Sequence, residues 1–164
     1  MERARELLAK DLGDSAKQVL RRALAALARR EYGRVELERK LQRDLHAPAH
    51  ASDVSRVLDR LQAKGLLSDE RMAQSFVRTR AARYGRLRIE QELLRRGLER
   101  ATVAEALAPA PDELSVALAL WRRKFGRVPT TAQERARQGR YLAARGFEPS
   151  IVARIVTGAI ERES

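Results

Sequence analysis

Three short segments of this chain repeat one pattern: Arg29-Arg30-Glu31-Tyr32-Gly33-Arg34, Ala82-Arg83-Tyr84-Gly85-Arg86 and Arg123-Lys124-Phe125-Gly126-Arg127. Each is an aromatic–glycine–arginine turn with basic residues before it. Recurrence of this kind marks a repeat architecture, in which one unit cannot bury its apolar face alone and neighbours must share a core.

A stripe with helical spacing leads into every turn: Val19, Leu20, Ala23, Leu24 and Leu27 in the first copy, Met72, Ala73, Phe76 and Val77 in the second, and Leu114, Ala117, Leu118 and Trp121 in the third. Apolar residues three and four apart make one buried face of a helix. A second helix follows, marked by Leu37, Leu41 and Leu45, then by Ile89 and Leu93. In the third copy Tyr141-Leu142-Ala143-Ala144-Arg145-Gly146-Phe147 echoes Leu93-Leu94-Arg95-Arg96-Gly97-Leu98. An insertion around Pro129 to Glu134 predicts a longer second helix there, starting near Thr131, with a weakly apolar stripe and Gly139 in its interior. Third helices close the units with Val54, Val57, Leu58 and Leu61, with Val103, Ala106 and Leu107, and with Ile151, Val152, Ile155, Val156 and Ile160.

Capping boxes are expected at Ser15, Thr102 and Thr131, each with Gln or Glu three residues on. Gly65, Gly97 and Gly146 stand where helices should stop, since glycine enters the left-handed cap conformation without a Cβ penalty. No strand pattern competes. The fold class is all-α: three tandem three-helix repeats forming an elongated, curved array, because each unit should touch only its neighbours. The phase of the repeat sets the boundaries: a frayed tail at 1–14, repeats at 15–67, 68–108 and 112–164, and a linker at 109–111, where Pro109 and Pro111 disfavour helix.

The formal net charge is +12, with the excess spread over all three copies rather than held in one arm. It draws such a chain toward nucleic acid or another acidic surface. Aromatics make up 4%, too few for a base-stacking platform. With no cysteine there is no disulfide framework or thiolate zinc site, and no apolar run approaches a signal or membrane segment, so a cytoplasmic protein is expected.

No convergent reactive set is present, so no catalytic residue, metal or cofactor is assigned. The nine glycines are scattered rather than forming a phosphate loop. His46 and His50 have metal-pair spacing, but Pro48 breaks the helix that spacing requires. Ser75 and Ser115 have no histidine at motif spacing, and Glu36, Glu38, Glu90 and Glu92 read as solvated faces beside arginines. Trp121 falls on an apolar stripe and reads as core.

The candidate binding residues are those of the basic turns: Arg29, Arg30 and Arg34; Arg78, Arg80, Arg83, Arg86 and Arg88; Arg122, Arg123, Lys124 and Arg127. Regular stacking would align them as a positive stripe for a regularly spaced acidic partner. Any single arginine could instead serve only the dipole and last carbonyls of its helix. The dense central cluster of Arg80, Arg83, Arg86 and Arg88 is expected to matter most, and to be replaceable without loss of fold.

The stretch from Gly65-Leu66-Leu67-Ser68-Asp69-Glu70 through Arg80, continued by Tyr84-Gly85-Arg86-Leu87-Arg88-Ile89-Glu90-Gln91-Glu92-Leu93, closely resembles the RecX family. Tyr32-Gly33-Arg34 to Leu41 and Tyr141 to Phe147 extend the resemblance over about residues 16 to 160. Met72 stands where the family usually has Phe, and Ser68 where Asp is common. The resemblance implies a cytoplasmic bacterial modulator without a catalytic centre or small-molecule substrate. It implies binding in the groove of the RecA filament on DNA, with a weak DNA contact, and inhibition of strand exchange and the coupled ATPase. It thereby implies regulation of DNA repair and the SOS response. The alternative is a direct DNA-binding protein of helix-turn-helix type, since a basic three-helix unit also fits that description.

Overall fold

The computed structural model describes residues 8–45 and 51–159, and the expectations for His46, Pro48, His50 and Ile160 lie outside them. Among the described residues the regular structure is helical: α1 (Asp14–Leu27), α2 (Arg34–Leu45), α3 (Ala51–Ala63), α4 (Asp69–Arg80), α5 (Arg86–Arg95), α6 (Arg100–Leu107), α7 (Glu113–Lys124), α8 (Ala132–Ala143) and α9 (Pro149–Val156). Their lengths run from 8 to 14 residues. Isolated helices of that length are marginal in water, so packing must hold them.

Two compact units result, Met1–Ala73 with Arg96–Glu99, and Gln74–Arg95 with Arg100–Ser164. In the first, α1, α2 and α3 pack pairwise. Leu37, Leu41, Val54, Val57, Leu58 and Leu61 are all buried between them, as the stripes require. Removing one leucine side chain from water is worth about 1.5–3 kcal/mol, more than the helix propensities involved. Leu8 and Leu12 join this core, and Arg60 donates to the carbonyls of Leu8 (2.8 Å) and Lys10 (2.6 Å). Residues 8–12 are thus anchored instead of frayed, because two leucines four apart give this segment an apolar face of its own.

In the second unit α5 packs on α6, and α7, α8 and α9 pack on one another around Trp121, Leu142, Phe147 and Ile155. Trp121 is core, as its stripe position indicates. Its indole N–H donates to Gln138 at 2.6 Å, and the Gln138 amide donates to the Arg127 carbonyl at 3.3 Å. The polar interruption in the α8 stripe is therefore a buried residue with a specific partner. Helix α8 has twelve residues, two more than α5 and no more than α2.

Capping follows the sequence in part. Thr131 caps α8 by accepting from the Glu134 N–H at 3.1 Å, while Glu134 reaches back to the Thr130 N–H at 2.9 Å. Ser15 and Thr102 do not cap: α1 starts at Asp14 after Gly13 and α6 at Arg100, so both lie inside helices. Gly65 (φ +66°), Gly97 (φ +90°) and Gly146 (φ +80°) are left-handed, as helix stops require.

Candidate docking surface

The start of each second helix sets the geometry of the basic turns. Gly33 and Gly85 each stand immediately before such a helix, and their carbonyls accept from Leu37 and Ile89 in its first turn. An acidic residue caps the same end: the Arg34 N–H donates to Asp69 at 2.7 Å, and the Arg86 N–H to Glu113 at 3.1 Å. Carboxylates suit a helix N-terminus because its first N–H groups lack intrahelical partners.

A glycine turn from further along the chain closes on each joint. Gly97 lies so close to Val35 that a Cβ would meet the valine side chain at 2.6 Å. At the second joint a Cβ on Gly85 would lie 2.2 Å from the Gly146 oxygen, and the Gly85 N–H donates to the Arg145 carbonyl at 2.9 Å. The third aromatic–glycine–arginine turn is built differently. Gly126 is left-handed (φ +73°) and follows α7, and α8 begins only at Ala132. Arg127 therefore does not occupy the place of Arg34 and Arg86, because the insertion separates turn from helix.

The arginines divide accordingly. Arg34 is half-buried and pairs with Asp59 at 2.6 Å. Arg30 holds both oxygens of Glu36 (2.8 and 3.2 Å) and stacks on Tyr32 with its guanidinium carbon 3.6 Å from the ring centroid. Arg86 donates to the Leu107 carbonyl at 3.2 Å, and Arg88 to that of Ala144 at 2.9 Å while lying over Tyr84. Arg80 sits beside the rings of Phe76 and Tyr84, and Arg127 reaches Glu134 at 3.4 Å from an exposed position. Replacement of Arg86 or Arg88 therefore disturbs the second joint, contrary to the expectation that the central cluster is free of structural duty.

The remaining candidates, Arg29, Arg78, Arg83, Arg122, Arg123 and Lys124, are exposed and have no side-chain partner among the described residues. All six cluster around the C-terminal ends of the first helices, α1, α4 and α7. The recurrence is narrower than the turn pattern suggested: every first helix ends near at least one exposed cation without a side-chain partner among the described residues, while Arg30 and Arg80 at those ends and Arg34, Arg86 and Arg88 at the starts of the second helices are engaged. Arg135 and Arg140 of α8 are also exposed and unpartnered, and the turn pattern gave no reason to select them.

Two carboxyls at the joints are displaced from their ordinary range. Burial raises Glu36, but the Arg30 hydrogen bond and the charges of Arg96 and Arg30 outweigh it and hold the group low. Burial also raises Glu113; the N–H groups of Arg86 and Glu148 oppose this, and burial prevails. Glu36 pairs with the nearby Arg30, as its place beside arginines suggested, but neither Glu36 nor Glu113 was legible as a joint residue, because the partners that place them there are distant in sequence. Glu36 binds Arg96 across 60 positions.

The geometry describes a helical-repeat protein with recurrent solvent-facing cations, and among the described residues no helix is long and apolar enough to cross a membrane. Residues 68–107 match the family model for the second three-helix domain of RecX, and residues 111–156 that for the third. Regulatory protein RecX of Pseudomonas savastanoi pv. phaseolicola (strain 1448A / Race 6) is 47% identical over 148 residues, covering 88% of this chain and 94% of that protein. Regulatory protein RecX of Ralstonia pickettii (strain 12J) is 47% identical over 141 residues, covering 85% and 87% respectively. The crystal structure of RecX from Lactobacillus salivarius shares the fold, with a TM-score of 0.73 at 23% identity over 90% of this chain and 97% of that one. This chain belongs to the RecX family, and the relatives it matches carry a regulatory role.

Proposed function

We propose that the chain binds the RecA recombinase filament on DNA and inhibits its growth, strand exchange and ATP hydrolysis, and so regulates DNA repair and the SOS response. In this reading it acts in the cytoplasm, without a catalytic centre or cofactor, through three repeats with the boundaries given above. The observation that supports it is the recurrence of exposed, unpartnered cations at the end of each first helix. A filament on DNA presents acidic protein surface and phosphate at regular intervals, which suits such a surface. The contact surface is then Arg29, Arg78, Arg83, Arg122, Arg123 and Lys124, with Arg30, Arg34, Arg80, Arg86, Arg88 and Arg127 shaping the turns that present them.

The test is titration of the purified chain into RecA assembled on single-stranded DNA. The reading requires ATP hydrolysis and filament length to fall as the chain is added; unchanged values would refute it. Tight, site-selective binding to duplex DNA without RecA would favour the helix-turn-helix alternative, whereas weak binding that collapses with salt is generic to any basic surface.

A further inference from the structure

The second unit contains an open groove of about 430 Å³ beside the C-terminal part of α4. The buried Val77, Ala81 and Ala106 line it together with the exposed Pro109 and Pro111. The small side chains of Ala81 and Ala82 just after α4, of Ala106 on α6 and of Ala110, with the two prolines, leave this space unfilled. Arg78 also lines it, and its guanidinium has no partner among the described residues. Arg78 is the one charged residue among those lining the groove, and residues 74–88 around it carry four further arginines and no carboxylate, while Glu105 and Asp112 flank the opposite wall.

We infer that this groove is a docking site for an acidic–apolar peptide segment of a protein partner. One large apolar side chain enters between α4 and the proline segment, and an adjacent carboxylate meets Arg78. The apolar lining gives the affinity and the cation fixes the register, as in other helix-lined peptide grooves. Phosphate backbone alone would leave the lining uncovered, so charge complementarity and apolar surface together point to peptide rather than nucleic acid. The inference deepens the docking role given to Arg78 and rests on that reading, although it does not depend on which protein supplies the segment.

The test uses the full chain and a fluorescein-labelled peptide with a leucine–phenylalanine pair flanked by aspartates, read by fluorescence anisotropy. Three changes should each weaken binding at least about tenfold: Arg78→Glu, Ala82→Trp at the exposed groove wall, and replacement of the leucine–phenylalanine pair by serines. Far-UV circular dichroism of both variants should match the parent. Equal binding of the serine peptide, or full binding to Ala82→Trp, would overturn the inference, because charge alone would then account for the contact. The RecA titration fails or succeeds separately: an inert filament assay with intact peptide binding would refute only the proposed partner.

Discussion

Substitution of Gly85 by alanine tests the second joint. Gly85 has no left-handed backbone, so the change introduces a close approach without φ strain. The new Cβ would lie 2.2 Å from the Gly146 oxygen and 2.4 Å from the Phe147 nitrogen, against an ordinary contact of 3.4 Å or more. Both neighbours are backbone, so the joint must open by about 1 Å to relieve the overlap. Opening stretches the bonds from Gly85 to Arg145 and from Arg88 to Ala144, both 2.9 Å. Two hydrogen bonds at about 1 kcal/mol each, with a similar cost for overpacking, give a loss of about 3 kcal/mol. In urea unfolding followed by far-UV circular dichroism, this lowers the midpoint by about 1 M or more. Gly139→Ala is the internal control: its Cβ would sit 3.8 Å from Val152 inside α8, where alanine gains about 0.5–1 kcal/mol over glycine. A Gly85→Ala midpoint equal to the parent's would refute the reasoning.

Two further outcomes follow from the buried Gln138 and the half-buried Glu36. Gln138→Leu leaves the Trp121 indole N–H without its acceptor and should cost about 1–3 kcal/mol, read from the fluorescence of the single tryptophan during unfolding. Glu36 has a folded-state pKa below its unfolded value, so the stability it contributes is present at neutral pH and is lost as pH falls through and below the ordinary glutamate range. Glu36→Gln should therefore flatten the acid side of the stability profile; an unchanged acid slope would show that the Arg30 and Arg96 pairing contributes nothing.

The helices were legible because their apolar stripes repeat every three and four residues, and Val54, Val57, Leu58 and Leu61 are buried as that spacing demands. Capping was less legible. The Ser15 and Thr102 motifs match Thr131 in sequence, but their helices begin earlier, at Asp14 and Arg100, which puts both residues inside the helix instead of at its cap. The joints could not be read at all, since Asp69 meets Arg34 across 35 positions and Glu113 meets Arg86 across 27. That long-range capping separates structural arginines from exposed ones, a distinction that local sequence around the turns does not contain.

The most direct test of the docking surface compares two charge-matched variants in the RecA–single-stranded DNA ATPase assay. One carries Arg83→Glu, Arg122→Glu and Arg123→Glu at the unpartnered turns. The other carries Lys10→Glu, Arg21→Glu and Lys64→Glu, whose side chains are exposed and unpartnered among the described residues but lie elsewhere. The account predicts that the first loses inhibition at unchanged helical content while the second keeps most of it. Equal inhibition by both variants, or equal loss in both, would contradict a docking role for the first-helix corners.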